Sequence, residues 1–199
     1  MLFRKASFDG PVEFLVVGLG NPGKKYEGTR HNAGFMVMEA LGKKLGVKID
    51  RIKFKSYCAR AVMNGVPVLL LMPQTFMNLS GEAVRDTMRF YKLPPERVLV
   101  IFDDISLDVG SVRIRRKGSD GGQRGMRSII ECTNSDAFPR IKVGVGAKPH
   151  PDYDLSAWVL SRFGKDEAPK ILEAVEAARD AAFMIVAGEL DQAMGRYSS

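Results

Sequence analysis

EFLVVGLGNPGKKYEGTRHNAGF, Glu13 to Phe35, contains the transition that decides the fold. Its opening run, Glu13 to Gly18, is short, apolar and rich in β-branched side chains, and it stops at glycine, the pattern of a buried strand. The Gly- and Pro-rich stretch that follows is unsuited to a helix. From Asn32 onward, however, Ala33, Phe35, Met36, Met38, Ala40, Leu41 and Leu45 recur at helical spacing. Asn32 stands at the N-cap position and Gly46 at the stop.

The same alternation continues along the chain. Ser56 to Met63 and Val66 to Met72 read as two strands joined by Asn64-Gly65, a dipeptide suited to the positive φ angles of a tight hairpin. The second is apolar throughout and therefore central, and Pro73 ends it. A helix is predicted from Ser80 to Lys92, before Pro94-Pro95, then a buried strand, Arg97 to Phe102, running into Asp103-Asp104. Beyond lie a strand at Ser111 to Arg116, the glycine-rich loop GSDGGQRG, a helix at Gly125 to Glu131 and a strand at Arg140 to Val145. Between Asp166 and Gly188, the residues Ile171, Leu172, Val175, Ala178, Ala182, Ile185 and Val186 form a helical stripe suited to packing on the core. The expected fold is a single α/β domain over 1–199, with 1–12 a short extension. Its central sheet is mixed, because of the hairpin, and flanked by helices, one of them C-terminal.

The composition agrees. The 199 residues are 45% hydrophobic and 27% charged, which excludes disordered, collagenous and coiled-coil chains. Thirty basic against 23 acidic residues leave a net charge of +7, so a polyanion such as nucleic acid is a candidate partner. Cys58 and Cys132 lie far apart without metal-ligand spacing and read as reduced thiols rather than a disulfide or zinc site. Met1 to Gly10 lacks the apolar core of a secretory signal, and no apolar run approaches the roughly 18 residues of a membrane span. The expectation is a cytoplasmic monomer.

One motif points the wrong way. Gly18-Leu19-Gly20-Asn21-Pro22-Gly23 matches G-x-G-x-x-G after a strand, half of a dinucleotide-binding fingerprint. In that fold the helix begins inside the motif and aims its N-terminal amides at the pyrophosphate, whereas here Pro22 and the stretch to Arg30 delay it. No acidic residue ends a second strand at the required distance, since Glu39 falls within the helix and Asp50 comes late. A nucleotide-dependent oxidoreductase is therefore disfavoured.

Of the two histidines, His150 sits between prolines as an exposed loop residue, while His31 ends the glycine-rich loop near the C-terminal end of the first strand, where α/β sheets place ligands. Imidazole can take a proton from water if a partner fixes its tautomer. Asp103 or Asp104 supplies that carboxylate if the two strand ends are neighbours. Asn21 and Asn78 carry amides suited to holding a carbonyl or a water, although the first can also shape a turn and the second cap a helix.

Taken together, VVGLGNPGKKYEGTRHNAGF, PQTFMNLSGEAV and FDDISLDVGSVRIRRKGSDGGQRGMRSI closely resemble the bacterial-type peptidyl-tRNA hydrolases, from about Phe14 to Arg196. The resemblance implies a cofactor-free, metal-independent esterase that cleaves the bond between a peptide and tRNA. It makes His31 the base that activates water and Asp103 the carboxylate that orients it. Asn21 and Asn78 would position substrate, with Tyr26 and Met77 lining the same cleft. Arg113, Arg115, Arg116, Lys117, Arg124, Arg127, Arg140 and Lys142 form a basic run, within which Arg115 and Lys142 match the pair that clamps the tRNA 5′ phosphate. The family commonly carries Gly-Gly-His-Asn-Gly where this chain has Gly121-Gly122-Gln123-Arg124-Gly125. Arg124 cannot accept a hydrogen bond, so the asparagine's contact is lost or replaced by a cation that could meet a phosphate or an acyl carbonyl. That change keeps open a non-catalytic RNA-binding protein, which retention of His31, Asp103, Asn21 and Asn78 opposes.

Overall fold

Alternate side chains of the predicted first strand point into two separate cores, and this two-sided burial organises the molecule. The computed structural model describes residues 10–198. Strand β1 (Phe14–Gly18) sends Phe14 and Val16 into one core and Leu15 and Val17 into the other. It lies inside a seven-stranded sheet with β2 (Arg51–Lys53), β3 (Ser56–Met63), β4 (Val66–Pro73), β5 (Val98–Asp104), β6 (Val112–Arg115) and β7 (Arg140–Gly144), in the order β2-β3-β4-β1-β5-β7-β6. The four inner strands β4, β1, β5 and β7 are mutually parallel, while β2, β3 and β6 pair antiparallel at the margins, giving the expected mixed sheet.

Helices α1 (Ala33–Leu45), α5 (Ala168–Val186) and α6 (Leu190–Tyr197) supply the first core. Helices α2 (Ser80–Tyr91) and α3 (Arg124–Thr133) supply the second. Asn64 and Gly65 take φ of 48° and 83° in the hairpin turn, and Lys92 closes α2 at φ 53° just before the prolines. Both cysteines are free thiols, with Cys58 buried and its pKa pushed up by desolvation. Residues 1–9 of the expected N-terminal extension lie outside the described residues, whereas Val12 is buried in the second core. Among the described residues, no helix is long and apolar enough to cross a membrane.

Two glycines of the misleading motif, Gly18 and Gly20, serve packing, and Gly34 at the start of α1 joins them. Helix α1 begins only at Ala33 and lies directly against the end of β1. A Cβ on Gly34 would stand 2.5 Å from Leu19 N and would also strike the Ile101 carbonyl, and one on Gly20 would stand 2.6 Å from the Phe35 ring. Leu19 N donates to the Ile101 carbonyl at 2.9 Å across this tight junction, so β1, β5 and α1 converge where His31 must sit.

Three short elements escape the sequence reading. β2 is exposed throughout, α4 (Leu155–Val159) has five residues, and α6 follows Gly188 as a separate short helix.

Candidate active site

β1 and β5 are adjacent and parallel, with Gly18 opposite Ile101, so the loop leaving one strand and the aspartates ending the other reach the same edge of the sheet. His31 occupies a single 3-10 turn, Arg30–Asn32, immediately before α1. Its Nδ1 lies 2.8 Å from Asp103 Oδ2, and both side chains are largely buried. With Asp103 accepting at Nδ1–H, the neutral imidazole presents Nε2 as its proton acceptor.

The adjacent carboxylate is committed elsewhere. Asp104 Oδ2 accepts from Lys142 Nζ at 2.8 Å, and Oδ1 from the Ser106 amide and hydroxyl at 2.8 and 2.6 Å. Burial pushes its pKa up, but the Lys142 ammonium and the Ser106 donors outweigh this and hold it below the usual aspartate value. Between the two aspartates that the sequence left open, the structure pairs Asp103 with His31.

His31 and Asp103 open onto a cavity of about 400 Å³, within the range of small-ligand clefts. Asn21, Met77 and Asn78 line it too, as do Gln123 and Arg124. Asn21 is fixed by three bonds. Its backbone exchanges hydrogen bonds with the Asn32 side chain at 2.9 and 3.0 Å, and its Oδ1 accepts from Met77 N at 2.9 Å. The acceptor is thereby used, and Nδ2 remains as a donor for the cavity. Asn32 occupies the N-cap position but spends its side chain on Asn21 rather than on its own helix.

Asn78 lies exposed in the turn Met77–Leu79, and Leu79, not Asn78, is the N-cap of α2. Tyr26 is half-buried and stands outside the cavity lining, with Lys25 Nζ 4.8 Å from its ring centre. His150 also lies outside it, edge-on to Tyr153.

Two groups of site residues carried no sequence signal strong enough to be singled out. The wall of the cavity includes Leu155, Val159 and Leu160 from α4 and its end. The available cue was Asp154, which caps α4 by accepting from Ala157 N at 2.6 Å. The other is Arg30, which fastens the histidine turn to this wall. Its guanidinium bonds both oxygens of Glu167 at 3.0 and 2.7 Å, donates to the Val145 carbonyl at 2.8 Å, and stacks 3.8 Å from the Trp158 ring centre. The Arg30 amide also donates to the Ser161 carbonyl.

The hydrogen bonds from Arg30 lower the Glu167 pKa, opposed by a smaller effect of burial and aided by the Gly164 amide. The folded value thus lies below the ordinary 4.5, so the stabilisation is complete above that pH and lost as pH falls through the folded value. Glu167→Gln is expected to lower stability at neutral pH by about 2 kcal/mol and to flatten its decline in acid, which urea unfolding at a series of pH values measures.

The basic run divides into distinct roles. Arg140 is fully buried and donates to the carbonyls of Phe138, Ser119 and Asp136, so this member of the run braces the glycine-rich loop rather than facing a ligand. Arg116 pairs with Asp191 and Arg127 with Asp120. Arg113 stands opposite Lys142 and Arg115 opposite Arg140, which puts Arg115 and Lys142 diagonally on one face of β6 and β7. Arg124 is exposed at the cavity. Among the described residues, no group of three or more His, Cys, Asp or Glu side chains is placed to hold a metal ion.

Comparison with known proteins gives one consistent result. The family model described as peptidyl-tRNA hydrolase matches residues 15–199. A peptidyl-tRNA hydrolase of Caldanaerobacter subterraneus subsp. tengcongensis is 54% identical over 185 residues, covering 93% of this chain and 99% of the relative. One from Agathobacter rectalis is 52% identical over 186 residues, covering 93% and 100%. A crystal structure of peptidyl-tRNA hydrolase from Acinetobacter baumannii superposes with a TM-score of 0.88 at 34% identity, covering 94% of this chain and 96% of that one.

Proposed function

The chain belongs to the peptidyl-tRNA hydrolase family and is a hydrolase of peptidyl-tRNA; from that premise we propose that His31 performs the reaction as a general base on water. The observation that carries this reading is the 2.8 Å contact between His31 Nδ1 and Asp103 at the edge of the cavity.

His31 Nε2 takes a proton from water as the water oxygen attacks the ester carbonyl carbon. The tetrahedral intermediate collapses, the bond to the ribose oxygen breaks, and the departing oxygen recovers the proton from the imidazolium. The products are a carboxylic acid, which gives its proton to solvent to become the carboxylate, and an intact tRNA end. Asp103 does not touch substrate. It positions His31, fixes the tautomer and stabilises the imidazolium.

Asn21 Nδ2 and the Asn78 amide are the donors suited to the carbonyl oxygen as negative charge develops. Met77 and the apolar wall from α4 give the acyl group a surface. Arg124 replaces the family asparagine with a cation suited to a phosphate or an acyl carbonyl. The enzyme would act as a cytoplasmic monomer formed as one domain, with no cofactor or metal.

Arg115 and Lys142 are the proposed clamp for the tRNA 5′ phosphate. Lys142 already neutralises Asp104, so a phosphate must compete for its ammonium, while Arg115 is exposed. Arg115→Ala is expected to raise KM about tenfold at low salt with kcat nearly unchanged, and to reduce the salt dependence of binding by about one phosphate contact. Steady-state hydrolysis of N-acetyl-aminoacyl-tRNA across a salt series reads both. An unchanged KM and salt slope would remove Arg115 from the tRNA surface.

A further inference from the structure

Gln123 caps α3 and touches the catalytic pair at once. Its Oε1 accepts from Met126 N at 2.7 Å, and this donor can be met only by the amide oxygen. Nε2 is therefore the donor end, 3.0 Å from Asp103 Oδ1 and 3.2 Å from Met77 Sδ. Asp103 is thus held on both oxygens, by Gln123 on Oδ1 and by His31 on Oδ2. The carboxylate torsion of aspartate is intrinsically broad, so one bond alone does not fix the plane it offers to His31.

We propose that Gln123 is a positioning residue for hydrolysis, clamping the Asp103 carboxylate in the orientation that His31 requires. The inference rests on the general-base reading above and assigns to a capping glutamine a part in the chemistry. An amide suits this task because it supplies its donor at every working pH. It also ties the base to the glycine-rich loop, since Gln123 N donates to the Asp120 carbonyl and its side chain begins α3. The neighbouring charges are Asp104 with Lys142 from the sheet, Asp120 with Arg127 from the loop and α3, Arg30 with Glu167 behind the histidine turn, and Arg124 on α3. Gln123 is the side chain through which the loop meets Asp103 directly.

Three substitutions separate the clamp from the cap. Gln123→Glu keeps an acceptor for Met126 N and places a carboxylate favourably at a helix N-terminus, but sets it against Asp103. Expected is a 10- to 100-fold fall in kcat with KM within about twofold, and an acid limb of the pH profile moved upward, because added negative charge favours the imidazolium. Gln123→His supplies acceptor and donor in one neutral tautomer and is expected to retain kcat within about threefold at neutral pH. Gln123→Met fills the space with neither group and should lose kcat while leaving the acid limb in place.

N-acetyl-aminoacyl-tRNA hydrolysis is measured for each, beside His31→Ala. Wild-type kcat and pH profile in Gln123→Glu, or wild-type kcat in Gln123→Met, would overturn the clamp provided His31→Ala is inactive. An active His31→Ala would instead overturn the general-base reading on which the clamp depends.

Discussion

His31→Ala is expected to reduce kcat for N-acetyl-aminoacyl-tRNA by about 10²- to 10⁴-fold, the usual worth of a positioned general base, while tRNA affinity stays within a few-fold of wild type. The separation follows from the architecture. The basic face of β6 and β7 lies on strands other than the turn that carries His31, so removing the imidazole leaves it intact. Because His31 is buried and its loss leaves Asp103 Oδ2 without this partner, some stability is lost as well, and the rates are compared in buffer where the variant remains folded. A parallel fall in affinity and kcat would show that the substitution had disturbed the site as a whole. An unchanged kcat would remove His31 from the chemistry.

The largest effect on stability is expected from Arg30→Ala. Arg30 is 3% exposed, and its charge is answered by Glu167, the Val145 carbonyl, the Ser161 hydroxyl and the face of Trp158. Its loss leaves Glu167 without its guanidinium partner and the Val145 carbonyl without this donor, and it opens space beneath Trp158. Glu167 keeps some contact with solvent, so the loss comes from the broken pair, the orphaned carbonyl and the space under Trp158 together, about 2 to 4 kcal/mol, a large part of the usual 5 to 15 kcal/mol of a folded domain. Urea unfolding measures the loss.

The same substitution loosens the turn that presents His31, and misplacement of a base by about 1 Å can cost up to about 10² in rate. A fall of 10- to 100-fold in kcat is therefore expected in buffer where the variant remains folded. Arg30→Lys should recover little, because a point ammonium cannot reproduce a planar fork that bonds two carboxylate oxygens and stacks on indole. Wild-type stability in Arg30→Ala would mean that the segment from Val145 to Glu167 is held without this anchor.

Much of this was legible in the residues themselves. Apolar runs such as RVLVIF and VPVLLLMP are strands because both faces of the sheet are covered, and the helical spacing after Asn32 matches α1 within a residue. The late start of that helix was enough to set aside the dinucleotide motif. β2 escaped because Arg51, Ile52 and Lys53 are all exposed and leave no alternating pattern.

Within the site, the limits were of a different kind. Asp103 and Asp104 are neighbours on one strand whose side chains alternate between faces, so their partners follow from strand pairing and loop placement rather than from composition. The sequence leaves the Asn21 amide equally able to donate and accept, and only the fold commits its oxygen to Met77 N. Gln123 reaches Asp103 across 20 residues and Arg30 reaches Glu167 across 137, and no local period encodes either contact. Arg140 looked like one more member of a basic surface because sequence does not reveal that three backbone carbonyls surround its guanidinium.

The most direct test of His31 as the base is the pH dependence of single-turnover hydrolysis of N-acetyl-aminoacyl-tRNA, with enzyme in excess and a chelator present. Wild type should rise with pH to a plateau, whereas His31→Ala should lose the plateau and follow hydroxide concentration at a far lower rate. The same plateau and rate in His31→Ala, or a wild type that binds the tRNA without releasing the acyl group, would contradict the assignment of the base.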